Sequence, residues 1–234
     1  MPRTIAIFGA GPGLGVSIAR RFAADGFRVA LIARNKERLD ALVEQLAAEG
    51  IEAAGFTADL DAPDEIPALI TAIRDRFGRI DVIEYGPIPS MRFTPAAELT
   101  PAAIAAGIPL LVLTPLAIVQ AVLPEWTQRG DGAFLMTTGA TAVHPMPHAS
   151  GLGPLMAAAR NWLYSLHGEL APTGIYAGTL SIGAFITGSQ AEQSAASDPR
   201  MAAFPRVDPA ELAAVYWDMY TNRDRVEQVH PETS

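Results

Sequence analysis

Residues 4–34 constrain this chain more than any other stretch. Thr4-Ile5-Ala6-Ile7-Phe8 is a β-branched and apolar run, the composition of a strand buried on both faces. It runs directly into Gly9-Ala10-Gly11-Pro12-Gly13-Leu14-Gly15, then into an amphipathic helix over 16–24 that Asp25-Gly26 ends. A second apolar strand, 28–33, stops at Arg34. Strand, glycine turn, helix and strand in this order make a βαβ unit of the kind that binds dinucleotides. The glycines let the backbone approach a pyrophosphate, and the first amides of the helix point at it. A glycine-rich turn alone marks only a tight connection; its flanking elements turn it into a binding prediction.

The alternation continues down the chain. A charged helix over 35–49, with Asn35 as N-cap and Gly50 as its stop, precedes a third strand over 51–58 that ends in Asp59-Leu60. A helix over 63–77 leads to a fourth strand, 80–85. A long apolar helix closing at Pro124 leads to a fifth strand, 132–138. A further helix precedes a sixth strand, 175–181. Asp208-Pro209 then opens a last helix to Tyr220, and a short strand over 226–229 follows. This predicts one α/β domain over 1–234, a Rossmann-type doubly wound parallel sheet of about seven strands flanked by helices.

Composition narrows the partners. The net charge of −8 argues against nucleic acid, and no cysteine is present for disulfides or thiol catalysis. With a strand already at residue 4 and no leader-like segment before it, the expected location is cytoplasmic. Residues 99–124 hold 26 positions without a charge, but also Pro101, Pro109, Pro115 and Pro124. Between two strands of a continuous α/β pattern, this stretch reads as a buried helix or subunit interface and not as a membrane span. Pro115 is expected to kink that helix.

The spacing of Gly9, Gly13 and Gly15 resembles the Gly-x-x-x-Gly-x-Gly turn of the short-chain dehydrogenase/reductase family, with Gly11 and Leu14 inside it. Gln120-Ala121-Val122-Leu123-Pro124, Gly168-Glu169-Leu170-Ala171-Pro172 and Ile182-Gly183-Ala184-Phe185-Ile186-Thr187 resemble later landmarks of the same family, so that the likeness spans about 4–230. The resemblance implies a nicotinamide cofactor. It implies contacts from Gly9, Gly11, Gly13, Leu14 and Gly15 to the pyrophosphate, from Asp59 and Leu60 to the adenine, and from Gly86, Gly183 and Thr187 near the nicotinamide. NAD-preferring members carry an acidic residue where Ala33 stands, and Arg34 follows with Asn35. An arginine there grips a 2′-phosphate, which favours NADP(H); the plainer alternative is a solvated arginine beside Lys36 and Arg38. Residues 188–207 resemble the family's substrate loop, and its members imply a homodimer or homotetramer.

The catalytic landmarks depart together. At the end of the fourth strand, Glu84-Tyr85-Gly86-Pro87 stands for the family's Asn-Asn-Ala-Gly. Counting from the landmarks puts the family's Asn at Leu111, its Ser at Gly139, and its Tyr-x-x-x-Lys at Leu152 and Met156. The only lysine in the chain is Lys36. Substitutes are sought near the nicotinamide end: His148 in the loop His144-Pro145-Met146-Pro147-His148, Tyr85 with Glu84, and Thr138 if the register is off by one. The histidine spacing, with no acid nearby, does not make a metal site.

Residues 132–159 and 170–191 carry no Asp, Glu, Lys or Arg, and an apolar cleft suits an apolar carbonyl or enone compound. The first reading is an atypical NADP(H)-dependent reductase. The alternatives are an NADP(H)-binding protein without turnover, acting as a sensor or partner subunit, and a non-redox isomerase or lyase using the same pocket.

Overall fold

The computed structural model describes residues 2–89, 94–148, 150–195 and 204–231. Seven strands form one parallel sheet: β1 (Thr4–Phe8), β2 (Arg28–Ala33), β3 (Ala53–Thr57), β4 (Val82–Tyr85), β5 (Gly132–Gly139), β6 (Ile175–Ile182) and, last in the chain, β9 (Glu227–His230), in the spatial order β3-β2-β1-β4-β5-β6-β9. Every residue of β1, β4 and β6 is buried, which is why these segments read as continuous apolar runs without alternation. The order reverses between β1 and β4. Such a switch point opens a crevice at the carboxyl ends of the strands, where open α/β sheets bind their ligands.

Helices cover both faces. On one, α1 (Leu14–Ala23), α2 (Lys36–Ala48) and α8 (Pro209–Asn222) pack around Phe22, Phe27, Leu39, Leu212 and Tyr216. On the other, α3 (Ile66–Phe77), α5 (Thr114–Arg129) and α6 (Gly153–Leu170) bury Ile70, Ile118, Trp126, Phe134 and Leu163. Asn35 caps α2 as the sequence suggests, its side chain accepting the Arg38 amide at 2.9 Å. Helix α1 begins at Leu14, two residues before the expected start, so the last two glycine-turn residues already lie in its first turn.

The long apolar helix differs from expectation in two ways. It does not close at Pro124 but continues to Arg129, where Gly130 ends it in left-handed backbone. The extra turn is held because Trp126 is fully buried and donates Nε1–H to the Ile80 carbonyl at 2.9 Å. Nor does Pro115 act alone. Between α4 (Pro101–Ile108) and α5 lies a five-residue π-helical stretch, Pro109–Leu113, closed by the Thr114 amide on the Pro109 carbonyl. The wider turn shifts the hydrogen-bond register just before the residue that has no N–H to give.

From α4 through α5, residues 101–129 are long and apolar enough to cross a membrane by length and composition alone. Ile118, Val119, Val122 and Trp126 nevertheless face the interior, while Leu113 is exposed. Beyond β6, the short strands β7 (Phe185–Ile186) and β8 (Arg206–Val207) pair in a separate two-stranded sheet, with α7 (Gln190–Ala195) between them. The rest of the expected substrate loop, 196–203, lies outside the described residues.

Candidate active site

Because the sheet is parallel, the expected cofactor residues fall along one edge. Gly9 to Gly15 follow β1, Arg34 and Asn35 follow β2, Asp59 and Leu60 follow β3, Gly86 follows β4, and Gly183 and Thr187 follow β6. The glycines are there for distinct reasons. Gly9 has φ of +86°, and a β-carbon on it would lie 2.7 Å from Pro87 Cα and N, so the two turns of the crevice touch backbone to backbone. A β-carbon on Gly15 would lie 3.0 Å from Ala10 Cα, which fixes how closely α1 approaches the turn. Gly11 has open space where its side chain would be. Over Gly13, the chain after β7 comes near, with Thr187 O and Ser189 Cα 3.7 and 3.8 Å from its missing β-carbon. No side chain caps α1 at Gly13, which leaves first-turn amides directed at the crevice. This cradle fits a dinucleotide pyrophosphate.

Arg34 is exposed, its one ion pair among the described residues a loose 3.9 Å contact with Asp61. Asp59 is exposed and accepts the Asp61 amide at 3.1 Å, forming a turn. Leu60 is buried, and its carbonyl accepts the Thr114 hydroxyl at 2.7 Å, tying the β3 exit to the start of α5. Gly183 donates its amide to His230 at 2.8 Å, and a β-carbon on it would lie 3.3 Å from Ala140.

The positions that count back to the family's catalytic residues are brought together. Leu111, Leu155 and Met156 form a small apolar cluster with Leu152, Ile104, Ile108, Val112 and Ala142 packed on it. Gly139 borders the cluster: its amide points at Met156 Sδ at 3.2 Å, and a β-carbon on it would lie 3.4 Å from the same sulfur. So the sequence count identified the right neighbourhood, which is filled mostly with hydrocarbon and thioether, the Thr141 hydroxyl lying 3.5 Å from the same β-carbon position.

Of the three candidate substitutes, Thr138 and Tyr85 are engaged elsewhere, and His148 makes no hydrogen bond or ion pair to the cluster among the described residues. Thr138 is buried with its hydroxyl against Ser181 Oγ at 2.7 Å and Thr179 Oγ1 at 3.2 Å; alternation along β5 turns it away from the face that Gly139 presents to Met156. The register is therefore not off by one, and Thr138 belongs to a hydrogen-bonded ladder. Ser181 continues that ladder to Glu227, 2.6 Å away, which Arg160 grips. Tyr85 is buried beside Phe8 and Phe134 and donates its hydroxyl to the Leu110 carbonyl; burial pushes its phenol well above the usual range. It is an interior hydrogen-bond donor and a poor acid. His148 is exposed, in left-handed backbone with φ of 63°, and no hydrogen bond or ion pair among the described residues ties its ring to the site.

Glu84 is different. It is 2% exposed, has no cationic partner among the described residues, and accepts the Thr137 hydroxyl at 2.7 Å. Burial pushes its carboxyl up to about 8, although the Thr137 hydrogen bond favours the charged form. Thr137 Oγ1 also meets the Tyr216 hydroxyl at 2.6 Å. Sequence reasoning did not find Thr137 or Tyr216: Tyr216 arrives from a helix 132 residues further along (216 − 84), with no local signal.

The profile of the short chain dehydrogenase family matches residues 3–198. The protein belongs to the short-chain dehydrogenase/reductase family, with its Rossmann-type fold. Among its relatives is dehydrogenase/reductase SDR family member 4 of Sus scrofa, 26% identical over 171 residues, which are 73% of this chain and 61% of that protein's length. In fold it resembles a metagenomic short-chain oxidoreductase in complex with NADP (TM-score 0.81, 22% identity, 99% of this chain and 98% of that one). It also resembles a short-chain oxidoreductase of Pseudomonas aeruginosa PAO1 described as containing an atypical catalytic center (TM-score 0.84, 19% identity, 99% and 97%).

Proposed function

We propose that this protein is an NADP(H)-dependent reductase of an apolar carbonyl or enone compound, working without a tyrosine–lysine pair. The observation that carries the reading is the contrast within the crevice. A fitted dinucleotide cradle at Gly9, Gly13 and Gly15 leads to an apolar cluster of Leu111, Leu152, Leu155 and Met156. Arg34, exposed and only loosely paired, is free to receive a 2′-phosphate. The NADP bound by the metagenomic neighbour supports this choice. When bound, the cofactor supplies hydride. This chain's own residues then orient an apolar substrate and exclude water from it. The proton comes from solvent or from the exposed His148, since the hydroxyls of Tyr85 and Thr138 are engaged in the interior. Reduction of an activated double bond fits such a site well, because hydride adds at carbon and protonation follows separately. Subunits associate through the apolar α4–α5 surface around exposed Leu113.

The test is NADPH consumption against a panel of ketones and enones, with NADH in parallel. Substrate-dependent oxidation is expected, with His148→Ala lowering the rate about tenfold, the low end of acid–base contributions discounted for rescue by water. A second reading, nucleotide binding without turnover, draws on the same cluster, in which no side chain carries a titratable proton. Tight NADPH binding with no oxidation across the panel would select it. Product formation with the cofactor unchanged would select a non-redox isomerase or lyase.

A further inference from the structure

The buried carboxyl of Glu84 sits at the switch point itself. Its residue pairs with Ile7 of β1 and Leu135 of β5, so it lies in the strand that borders the crevice. A β-carbon on Gly86, the residue where β4 enters the crevice, would lie 2.6 Å from Glu84 Oε1 and 2.9 Å from Thr137 Oγ1. The glycine backbone thus lies against the carboxyl, with no room there for a side chain. The hydrogen-bond directions follow from the proton count. Thr137 has one hydroxyl proton and donates it to Glu84, so the Tyr216 hydroxyl donates to Thr137. The chain of donors thus ends on Oε1.

We infer that Glu84 is a component of the nucleotide site that must hold its proton for the nucleotide to bind, so that binding is coupled to uptake of a proton. This rests on the nucleotide-binding reading above. The physical reason is charge. A carboxylate buried beneath the Gly86 turn of the nucleotide crevice, with no cation beside it among the described residues, repels an anionic ligand through a poorly screened medium. A neutral acid does not. Among the described residues, the buried side chains on the elements packed around Glu84 carry no positive charge. β1 gives Ile7, β5 gives Leu135 and Thr137, and the buried face of α1 is Gly15, Val16, Ile18, Ala19 and Phe22. The buried face of α8 carries Tyr216 and Tyr220 as its only titratable side chains. Tyr216 stays protonated, its phenol held well above its usual range by burial and by the nearby carboxyl.

The sign follows from linkage. The ligand prefers the protonated form, so affinity is full below the Glu84 midpoint and falls as pH rises through it. With the carboxyl pushed up to about 8, that fall lies in the alkaline range. The 2′-phosphate of the ligand loses its last proton near about pH 6 and so does not move in this window.

The experiment is calorimetric titration of the full chain with NADPH from pH 7 to 9.5, in buffers of differing ionisation enthalpy. The wild type is expected to bind roughly thirtyfold more weakly at pH 9.5 than at pH 7, the ratio of the protonated fractions for a midpoint of about 8, with net proton uptake near the midpoint. Glu84→Gln, an isosteric neutral amide, is expected to show neither. Thr137→Val removes the hydrogen bond that favours the charged form, so its fall in affinity moves to higher pH. This variant keeps the test open should Glu84→Gln fold poorly. Wild-type affinity that is level over this range, or weakening that persists in Glu84→Gln, overturns the inference while leaving the nucleotide site intact. No NADPH binding at any pH overturns both it and the reading beneath it.

Discussion

The two ends of the crevice were built under different constraints. At the dinucleotide end, close backbone contacts dictate residue type: Gly9 lies against Pro87, Gly15 against Ala10, and Asn35 caps the helix behind them. At the other end the approaches are looser, 3.4 Å from a Gly139 β-carbon to Met156 Sδ and 3.3 Å from a Gly183 one to Ala140, and the cluster beside Gly139 is hydrocarbon and thioether. The first end resists change because a β-carbon has nowhere to go. The second tolerates change because an apolar side chain of similar size packs there in place of a polar one, at no cost in unsatisfied hydrogen bonds. A crevice whose binding half is fixed by backbone contact can thus lose the polar groups of its other half and still fold.

This difference is open to attack from both ends, and the largest effect is expected at the apolar one. Leu152→Tyr with Met156→Lys puts a phenol and an ammonium into the cluster of Leu111 and Leu155, where Met156 is buried and no carboxylate stands ready. Overpacking and a lone buried charge are expected to cost about 3 kcal/mol or more. For a chain of this size that is a fall of roughly 6–12 °C in Tm, read by calorimetry, with no gain in NADPH oxidation. An active and equally stable double variant would show that the site had kept its old architecture.

At the dinucleotide end, Gly9→Val forces a β-branched side chain into φ of +86° and against Pro87. A loss of NADPH affinity of about 100-fold is expected, which is roughly 2.7 kcal/mol. Wild-type affinity in this variant would mean that the nucleotide lies elsewhere. The smallest effect concerns specificity. Arg34→Asp replaces a charge-assisted grip by repulsion, so NADPH binding should weaken at least about tenfold while NADH binding holds or improves. Equal wild-type affinities for the two cofactors would remove the argument from Arg34.

What the sequence determined by itself was the order of the elements and the placement of the glycine turn. Both follow from local properties: apolar runs for strands buried on two faces, caps and stops for helices, and glycines where the chain must bend. Counting between landmarks even brought Leu111, Gly139, Leu152 and Met156 to one neighbourhood, because strand and helix lengths are fixed by the sheet's thickness. What the tertiary structure decided was where polar atoms go. Thr138 and Tyr85 read as candidates along the chain, but one turns to Ser181 and the other to the Leu110 carbonyl. The continuation of α5 past Pro124 depended on Trp126 finding the Ile80 carbonyl across the fold. Glu84 owes its state to Thr137 on the next strand and Tyr216 on the final helix. A buried acid's charge depends on every group that surrounds it, and those groups are assembled only when distant parts of the chain close over it.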